Sequence, residues 1–506
     1  MIFAGEKFLP IRAESMHEFA LAIKLSLRRK PLRFAFAGPL DSRARRTPPL
    51  IERRWSAGER DGVGNGWMTT IDSNIDGQWA SASWPRRMMA AAPWVFGASL
   101  VFRLVGSVMV YADLYPDLRV YVVGGAAVTH PGTLYDAFSI DGVGQHLPFT
   151  YPPFAAILNY PLHLVPFVVV AFVWTAATVA ALYGVVRISQ RMTNGGSRRV
   201  AMLWTTAAMW FEPVRSTLDL GQVNVFLLLA VLYAAYTSKW WLSGLLIGAA
   251  AGVKLTPAIA GVYLMGMRRW AAVCASVAAF AATIGVAALV NPQDTKLYFT
   301  HLLGDVRRIG TVDYAPNQSW QGTISRIVGY DTGRGALLFI AIAGTAVLAL
   351  FAWRALGAAS GGRDALGSLL VVQLFGLTAS PISWVHHWVW VVPLMIWLFH
   401  GPWRDAGRAV FVRWAWILAL VVGVPTLLSR EPQDWSRPWY LAWAEAVYVP
   451  LTIITLAWIV AVGRRRSADA RSFSRVRRDI SPPVNHPVGA VGLALGWRPP
   501  GSATRN

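Results

Sequence analysis

Long stretches of apolar residues, separated by short polar segments, run through most of this chain. Two clear examples are 165–186 and 273–290, neither of which contains a charged residue. A helix needs roughly 20 apolar residues to cross a hydrocarbon core about 30 Å thick, so these stretches are long enough to span a membrane. The pattern predicts an all-α integral membrane protein with about twelve spans, near 90–112, 161–186, 200–213, 223–237, 240–254, 256–267, 270–290, 335–353, 364–379, 387–400, 409–428 and 440–463.

Several predicted spans are short or interrupted by proline. Pro213 follows one span, and Pro257 separates two short apolar segments. Non-helical backbone at membrane depth is tolerated where it lines a cavity or is buried in protein. The interruptions therefore indicate either a site inside the bundle or irregular packing.

The composition excludes a soluble protein. Of the 506 residues, 55% are hydrophobic and only 14% are charged, whereas roughly a quarter of the residues in a soluble domain are charged. The net charge of +21 is spread over short loops and both tails, which predicts contact with anionic membrane lipids and argues against a nucleic-acid partner. The single cysteine, Cys274, lies in an apolar stretch, so an internal disulfide and a Cys-based metal site are excluded.

Basic residues also predict the orientation in the membrane. Loops with pairs such as Arg86-Arg87, Arg198-Arg199 and Arg268-Arg269 fall on one side, which the positive-inside rule makes cytoplasmic. Both termini are then cytoplasmic, and the loops 113–150 and 291–334 face outward. We expect a multi-pass plasma-membrane protein whose site faces the periplasmic, extracytoplasmic side.

The chain divides into a predicted membrane domain, 88–463, and two basic tails. Residues 1–87 contain no apolar stretch long enough for a signal peptide or a span. They are expected to form a disordered cytoplasmic tail, unless translation starts at Met68 rather than Met1. Residues 464–506 are rich in arginine and proline and are expected to form a second disordered tail.

The first outward loop begins with two carboxylates, Asp113 and Asp117. A carboxylate at the edge of a membrane cavity can take a proton from a hydroxyl group as that group attacks a substrate; a solvated loop acid is the alternative. The same loop ends in Pro-Phe-Thr-Tyr151-Pro-Pro, whose prolines and aromatic rings suit a helix at the lipid headgroups.

Lys254 lies between two short apolar segments. A charge at membrane depth costs about 2.5–3.5 kcal/mol on insertion scales, so such a lysine indicates a functional site. Its expected partner is a phosphate of a lipid-linked substrate or a buried acid; otherwise its side chain extends to the interface.

Two further outward segments contain groups suited to sugar or phosphate binding. Asn317 and Gln318 can hydrogen-bond hydroxyl groups, and Arg326 can bind a phosphate at two points. His386 and His387 begin the tenth predicted span. Neighbouring histidines point to different sides of a helix, so a shared metal is not expected. One of them either orients a phosphate or is simply packed and hydrogen-bonded.

Six motifs occur in order along the chain: Asp-Leu-Arg-Val-Tyr at 117–121, Pro-Phe-Thr-Tyr-Pro-Pro at 148–153, Gly-Gln-Val-Asn at 221–224, Gly-Val-Lys-Leu-Thr-Pro at 252–257, Asn-Gln-Ser at 317–319 and Ser-Pro-Ile-Ser-Trp-Val-His-His at 380–387. Together they resemble the polyprenyl-phosphate-mannose-dependent α-1,2-mannosyltransferases of mycobacteria and related actinobacteria, which form glycosyltransferase family 87. The resemblance covers about 88–463 and implies a GT-C-type bundle of about twelve transmembrane helices with outward amphipathic loops.

The resemblance also implies roles for individual residues. Asp117 matches the family's proposed general base, and Asp113 is its nearest rival. The residues expected at the donor phosphate are Lys254, Arg326, His386 and His387. The residues expected to bind substrate are Asn317, Gln318, Tyr151 and Asn224.

The implied reaction is a single displacement with inversion. The 2-hydroxyl of a mannosylated glycolipid (a phosphatidylinositol mannoside, lipomannan or lipoarabinomannan) attacks the anomeric carbon of polyprenyl-phosphate-mannose while Asp117 takes its proton. No cofactor or metal is expected, because neither a glycine-rich nucleotide loop nor a carboxylate pair suited to a divalent ion is evident in the sequence.

Two alternatives remain open from the sequence. The chain could transfer arabinofuranose from a decaprenyl carrier, although the motifs favour mannose. It could also be a lipid or sugar transporter or flippase, since such proteins contain broken helices and charged residues at membrane depth. Against transport, the sequence contains no clear internal repeat, and its acids lie in outward loops.

Overall fold

The computed structural model describes residues 86–109, 115–140, 146–193, 195–358, 364–429, 435 and 437–480. The predictions for residues 1–85, for Asp113 and for the chain after 480 lie outside this part. Most of the described residues are helical, which confirms the all-α prediction. A two-stranded antiparallel sheet, β1 (Phe138–Ile140) paired with β2 (His146–Pro148), interrupts the helices once among these residues.

The first half of the described chain contains ten α-helices: α1 (Arg86–Met109), α2 (Pro116–Ala127), α3 (Pro153–Asn159), α4 (Phe167–Met192), α5 (Arg198–Trp210), α6 (Glu212–Leu220), α7 (Asn224–Tyr236), α8 (Trp240–Val253), α9 (Ala260–Gly266) and α10 (Trp270–Val290). Short 3₁₀ helices, Tyr160–Leu164 and Thr256–Ile259, precede α4 and α9.

The second half adds α11 (Pro292–Leu297), α12 (Trp320–Val328), α13 (Ala336–Ala358), α14 (Ala365–Ala379), α15 (Val391–His400), α16 (Ala409–Val422), α17 (Val424–Leu427), α18 (Trp439–Ala444) and α19 (Tyr448–Ile480). A π-helical turn at Tyr298–Leu302 and a 3₁₀ turn at Val306–Arg308 follow α11, and the 3₁₀ helix Val385–Trp390 leads directly into α15.

The chain is a membrane protein. Within the described residues, 6 helices are long and apolar enough to cross a bilayer: Arg86–Met109, Phe167–Met192, Trp270–Val290, Ala336–Gly357, Ala409–Leu427 and Tyr448–Arg466. Shorter apolar helices lie at Asn224–Tyr236, Trp240–Val253, Thr256–Gly266, Ala365–Ala379 and Val385–His400. Each predicted span overlaps a helix, although 409–428 and 440–463 each cover two helices, and the number of crossings, about twelve, stays a prediction.

Three glycines bring α8 very close to α10. Gly244, Gly248 and Gly252 follow one another at intervals of four residues, so they lie on one side of α8. A Cβ atom at Gly248 would come within 2.4 Å of the carbonyl oxygen of Ser276, and one at Gly252 within 2.4 Å of Thr283 Oγ1. Small residues at this spacing allow close helix contact in membranes. The contact fixes the end of α8, where Lys254 follows.

The helix α2 packs its apolar side against α3 and α4. Leu118, Tyr121, Phe149 and Ala171 are buried together in a cluster distinct from the large core of the spanning helices. This packing leaves Asp117, next to Leu118, on the side of α2 that borders a cavity.

The final helix is longer than the sequence analysis expects. It continues through 464–480, where a disordered tail was the expectation. The physical reason lies in the sequence: seven of these 17 residues are arginine, a good helix former, and the next proline along the chain is Pro482.

Candidate active site

Five of the residues that the sequence singles out meet in one cavity. Asp117 from α2, Tyr151 before α3, Lys254 after α8, and His386 and His387 before α15 all line it. The cavity has a volume of about 210 Å³. Residues from four separate parts of the chain therefore form one polar site.

Gln222 is the centre of this site. Its side chain hydrogen-bonds Asp117, and its Oε1 accepts hydrogen bonds from Tyr121 Oη at 3.2 Å and from Tyr151 Oη at 3.4 Å. Asp117 and Tyr121 are four residues apart on α2 and so lie on one side of the helix. The spacing of the Asp-Leu-Arg-Val-Tyr motif therefore brings both side chains to a single amide.

Gly221 allows the turn that carries Gln222 to approach α2. Its φ is +72°, a left-handed conformation that favours glycine. A Cβ atom at this position would come within 2.6 Å of Leu118 Cβ. The first residue of the Gly-Gln-Val-Asn motif is thus required by backbone geometry and close contact.

The carboxyl group of Asp117 holds its proton more tightly than an ordinary aspartate does. Burial raises its pKa, while the hydrogen bond from Gln222 and the positive charge of Lys254 lower it by less. Raised carboxyl pKa values are typical of groups that accept a proton in catalysis.

Lys254 is held in the cavity by three polar side chains. Its Nζ lies 3.0 Å from Asn224 Oδ1, 3.4 Å from Gln222 Oε1 and 3.1 Å from His387 Nε2. An ammonium group only donates, so His387 Nε2 accepts and the ring proton lies on Nδ1. The backbone of Lys254 is extended (φ −151°, ψ 130°), which ends α8 before this residue.

The two histidines are fixed through the backbone of the segment that carries them. Asn224 Nδ2 and Thr217 Oγ1 donate to the carbonyl oxygen of His386 at 2.8 and 3.2 Å. The two imidazole rings are nearly perpendicular, at 88°, with centroids 4.7 Å apart. Among the described residues, His386 Nε2 and His387 Nδ1 are buried without a hydrogen-bond partner. Unpaired ring nitrogens beside a lysine suit an anionic oxygen.

Asn317 and Gln318 do not line this cavity; both are fully buried and hold backbone segments together. Asn317 Oδ1 accepts from Ser383 N at 2.9 Å, and its Nδ2 donates to Pro381 O at 3.2 Å. Gln318 Oε1 accepts from the backbone nitrogens of Val447 and Tyr448. Asn317 thus fixes 380–384, which includes part of the cavity wall.

Arg326 does not line this cavity either. Its side chain is fully buried, 3.4 Å from Glu445, and it donates to the carbonyl oxygens of Tyr314 and Asn317. Glu445 also pairs with Arg437 at 2.8 Å, and Arg437 lies 3.3 Å from Asp313. Two arginines and two carboxylates are therefore buried together, joining the loop 291–334 to the segment before α19.

Replacing Glu445 with alanine is expected to destabilise the protein by about 3–5 kcal/mol, because it leaves buried arginines without their shared carboxylate. Asp405→Ala is the matched control, since Asp405 pairs with Arg404 on the surface and such pairs contribute about 0–1 kcal/mol. Thermal unfolding of the purified variants in detergent measures both effects. Equal losses of stability in the two variants would contradict the prediction.

The structure also adds cavity residues that the sequence analysis does not select. Arg308 lines the cavity and donates to the carbonyl oxygen of Tyr135 at 2.8 Å, and Tyr298 stacks on the Tyr135 ring. Gln222 belongs to the Gly-Gln-Val-Asn motif, so the sequence alone could have identified it as a candidate site residue. Arg308 belongs to none of the motifs, and its proximity to the site depends on the folding of a long loop.

An apolar cavity of about 370 Å³ adjoins the polar one. It lies among α7, α14 and the 3₁₀ helix Thr256–Ile259, and its lining includes Leu228, Val231 and Phe375. Ser380 and His387 line both cavities. The segment that carries the histidines therefore separates a polar space from an apolar one.

The chain is similar in sequence to known glycosyltransferases. Residues 149–381 match the profile of glycosyltransferase family 87. A polyprenol-phosphate-mannose-dependent α-(1-2)-phosphatidylinositol pentamannoside mannosyltransferase of Mycolicibacterium smegmatis is 55% identical over 379 residues, 74% of this chain and 92% of the relative. The protein of the same name from Mycobacterium tuberculosis (strain CDC 1551 / Oshkosh) is 56% identical over 357 residues, 69% of this chain and 82% of the relative.

More distant relatives are named for a different acceptor. A polyprenol-phosphate-mannose-dependent α-(1-2)-phosphatidylinositol mannoside mannosyltransferase of Mycobacterium tuberculosis (strain H37Rv) is 27% identical over 400 residues, 75% of this chain and 92% of the relative. No solved structure matches the chain.

Proposed function

The chain belongs to glycosyltransferase family 87, and from this premise we propose that it transfers mannose from polyprenol-phosphate-mannose to a phosphatidylinositol mannoside, forming an α-1,2 linkage. The relatives with 55% and 56% identity are named for this activity with a pentamannoside acceptor. The observation that carries the proposal is the convergence of Asp117, Lys254, His386 and His387 on one cavity.

In this proposal Asp117 is the general base. It takes the proton of the attacking 2-hydroxyl while the hydroxyl oxygen forms a bond to the anomeric carbon of the donor mannose. The bond from that carbon to the phosphate oxygen breaks, and polyprenyl phosphate leaves with the bonding electrons. Attack opposite the leaving group inverts a β-linked donor to an α-linked product.

The donor phosphate is proposed to lie beside Lys254 and the histidine pair. The ammonium group and the N–H of His387 Nδ1 can both donate to phosphate oxygens, and they stabilise the negative charge that grows as the phosphate leaves. Arg308 supplies a second positive charge in the same cavity wall. Arg326 is not assigned to the phosphate, because it is engaged with Glu445.

The apolar cavity next to His387 is proposed to accept the first isoprene units of the donor. Eight of its 18 lining residues are leucine, valine, isoleucine or phenylalanine, and apolar surface favours hydrocarbon over water. A phosphate at His387 would place the start of the prenyl chain at the entrance of this cavity.

We also propose a GT-C-type architecture of about twelve spans, with the site on the outer side of the plasma membrane. Six long and five shorter apolar helices support it, and so does the distribution of basic loops. A lipid-linked donor suits an outward site, where nucleotide sugars are absent.

The test is transfer of radiolabelled mannose from polyprenol-phosphate-mannose to phosphatidylinositol mannosides by the purified protein in detergent. The expected product carries a new α-1,2-linked mannose, and polyprenyl phosphate is released in equal amount. Transfer only from decaprenyl-phosphate-arabinose would instead support an arabinosyltransferase. Movement of a lipid-linked sugar across vesicles without release of polyprenyl phosphate would support a flippase.

The pH dependence of the transfer is expected to report on Asp117. The base must be deprotonated, so kcat/KM rises with pH through its pKa, which burial places above the ordinary aspartate value of about 3.9. Gln222→Leu removes a hydrogen bond that favours the charged carboxylate, so the rise should move to higher pH. Gln293→Leu, at an exposed glutamine, is the control. A shift to lower pH in Gln222→Leu would contradict this prediction.

A further inference from the structure

A third cavity opens beside the polar site, and it shares one lining residue, Ala379, with the apolar cavity. It is larger, with a volume of about 1000 Å³, and it is formed mainly by residues 304–313 and the neighbourhood of α12. Asp305 and Pro381 line both this cavity and the catalytic one. The third cavity therefore lies directly beside the cavity that contains Asp117.

We infer that this third cavity binds the sugar residues of the acceptor that lie beyond the mannose that reacts. This inference rests on the proposed function, because it assumes a glycolipid acceptor. The catalytic cavity, at about 210 Å³, is too small for an oligosaccharide, whereas sites of roughly 300–1,000 Å³ bury ligands of several rings.

The side chains of the cavity suit neutral, hydroxyl-rich ligands. Its polar lining includes the carboxylates of Asp305, Asp313 and Asp331 and the amide of Gln321. Carboxylate oxygens accept hydrogen bonds from hydroxyl groups, and an amide both donates and accepts. Trp435 adds an aromatic ring, on which the apolar C–H face of a sugar can pack.

One buried carboxylate oxygen in the cavity wall has no hydrogen-bond partner among the described residues. Asp313 is 0% exposed, and its Oδ2 lies 3.3 Å from Arg437. Its other oxygen, Oδ1, accepts no hydrogen bond from the described residues. Buried polar atoms are rarely left unpaired, so this oxygen indicates that a ligand hydroxyl or water completes the site.

The charges favour a sugar over a second phosphate or a lipid chain. Two arginines, Arg307 and Arg334, line the cavity together with the three aspartates. The positive charges of these arginines do not exceed the negative charges of the aspartates, so the cavity has no net attraction for an anion. The charged lining also contrasts with the apolar cavity, which is the better site for a hydrocarbon chain.

The experiment compares two acceptors with polyprenol-phosphate-mannose as donor: octyl α-mannoside, which has a single sugar, and an octyl tetramannoside. The wild type is expected to prefer the tetramannoside. The quantity to compare is kcat/KM for the tetramannoside divided by kcat/KM for octyl α-mannoside. Trp435→Ala should lower this ratio by about tenfold, equivalent to about 1.4 kcal/mol. Gln321→Ala should lower the same ratio and provides a second variant if Trp435→Ala fails to fold.

Tyr330→Ala is the matched control, because Tyr330 is an exposed aromatic residue at the end of α12 that does not line the cavity. Its ratio should equal that of the wild type. The inference is overturned if the wild type shows no preference for the tetramannoside. It is also overturned if Trp435→Ala and Gln321→Ala each reduce transfer to octyl α-mannoside and to the tetramannoside by the same factor. Absence of transfer to either acceptor by the wild type would instead reject the proposed function on which the inference rests.

Discussion

Asp117→Asn is expected to lower mannosyl transfer by about 100- to 10,000-fold, the usual contribution of a general base. The amide is nearly the same size as the carboxylate and can still hydrogen-bond Gln222, so the cavity should keep its shape. It cannot accept the hydroxyl proton at neutral pH. The measurement is single-turnover transfer of radiolabelled mannose by variant and wild type, purified in equal amounts.

Asp113→Asn is the control for this experiment, since Asp113 is the other acid at the start of the same loop. It should retain most of the activity. Loss of activity in Asp113→Asn together with full activity in Asp117→Asn would assign the base to Asp113. An accompanying loss of thermal stability in Asp117→Asn would indicate a structural contribution, which the unfolding midpoint separates from catalysis.

The membrane-spanning helices could be predicted from the sequence because few backbone conformations are possible inside a membrane. An apolar segment in lipid must satisfy its hydrogen bonds internally, and the helix does so within one segment. The helix α2 is not among the predicted spans, because it lies in the segment 113–150 that the sequence analysis treats as an outward loop. Once this helix forms, the four-residue spacing of Asp117 and Tyr121 places both side chains on one side of it. Their common partner, Gln222, lies in a motif quoted from the sequence, but its central position depends on how α6 turns back toward α2.

The sequence alone does not determine the role of Arg326. An arginine in a polar loop has the same local pattern whether it binds a ligand or pairs with an acid. Its partner, Glu445, lies more than a hundred residues further along the chain, and the pair forms only when the loop 291–334 packs against the segment before α19. Asn317 and Gln318 are similar, because their partners are mainly backbone groups that no side-chain pattern specifies.

Lys254 differs from Arg326 in a way that the structure makes testable. Among the described residues, Arg326 is paired with a carboxylate at 3.4 Å, whereas Lys254 contacts only neutral partners: an asparagine, a glutamine and a histidine. Asp117 attracts the ammonium group through its charge, but the side chains that hydrogen-bond this group are neutral, so the ammonium group can still donate to an incoming anion. The donor phosphate is the anion that the proposed reaction supplies.

Lys254→Met is therefore expected to lower kcat by about 100- to 1,000-fold, the usual effect of removing one group that stabilises transition-state charge. Methionine matches the lysine side chain as far as Cε but lacks the terminal amino group, so the charge and the hydrogen-bond donors are removed. Lys296→Met, at an exposed lysine on α11, is the matched control and should behave as the wild type does. The measurement is single-turnover transfer at saturating donor.

Inhibition by polyprenyl phosphate distinguishes phosphate binding from a merely structural role of Lys254. If its ammonium group contacts the phosphate, the inhibition constant of this product should rise in Lys254→Met, because the product presents the same phosphate without the sugar. If Lys254 only positions Gln222 and Asn224, kcat falls while the inhibition constant stays unchanged. That second outcome would remove Lys254 from the phosphate site and leave the histidine pair and Arg308 to neutralise the leaving group.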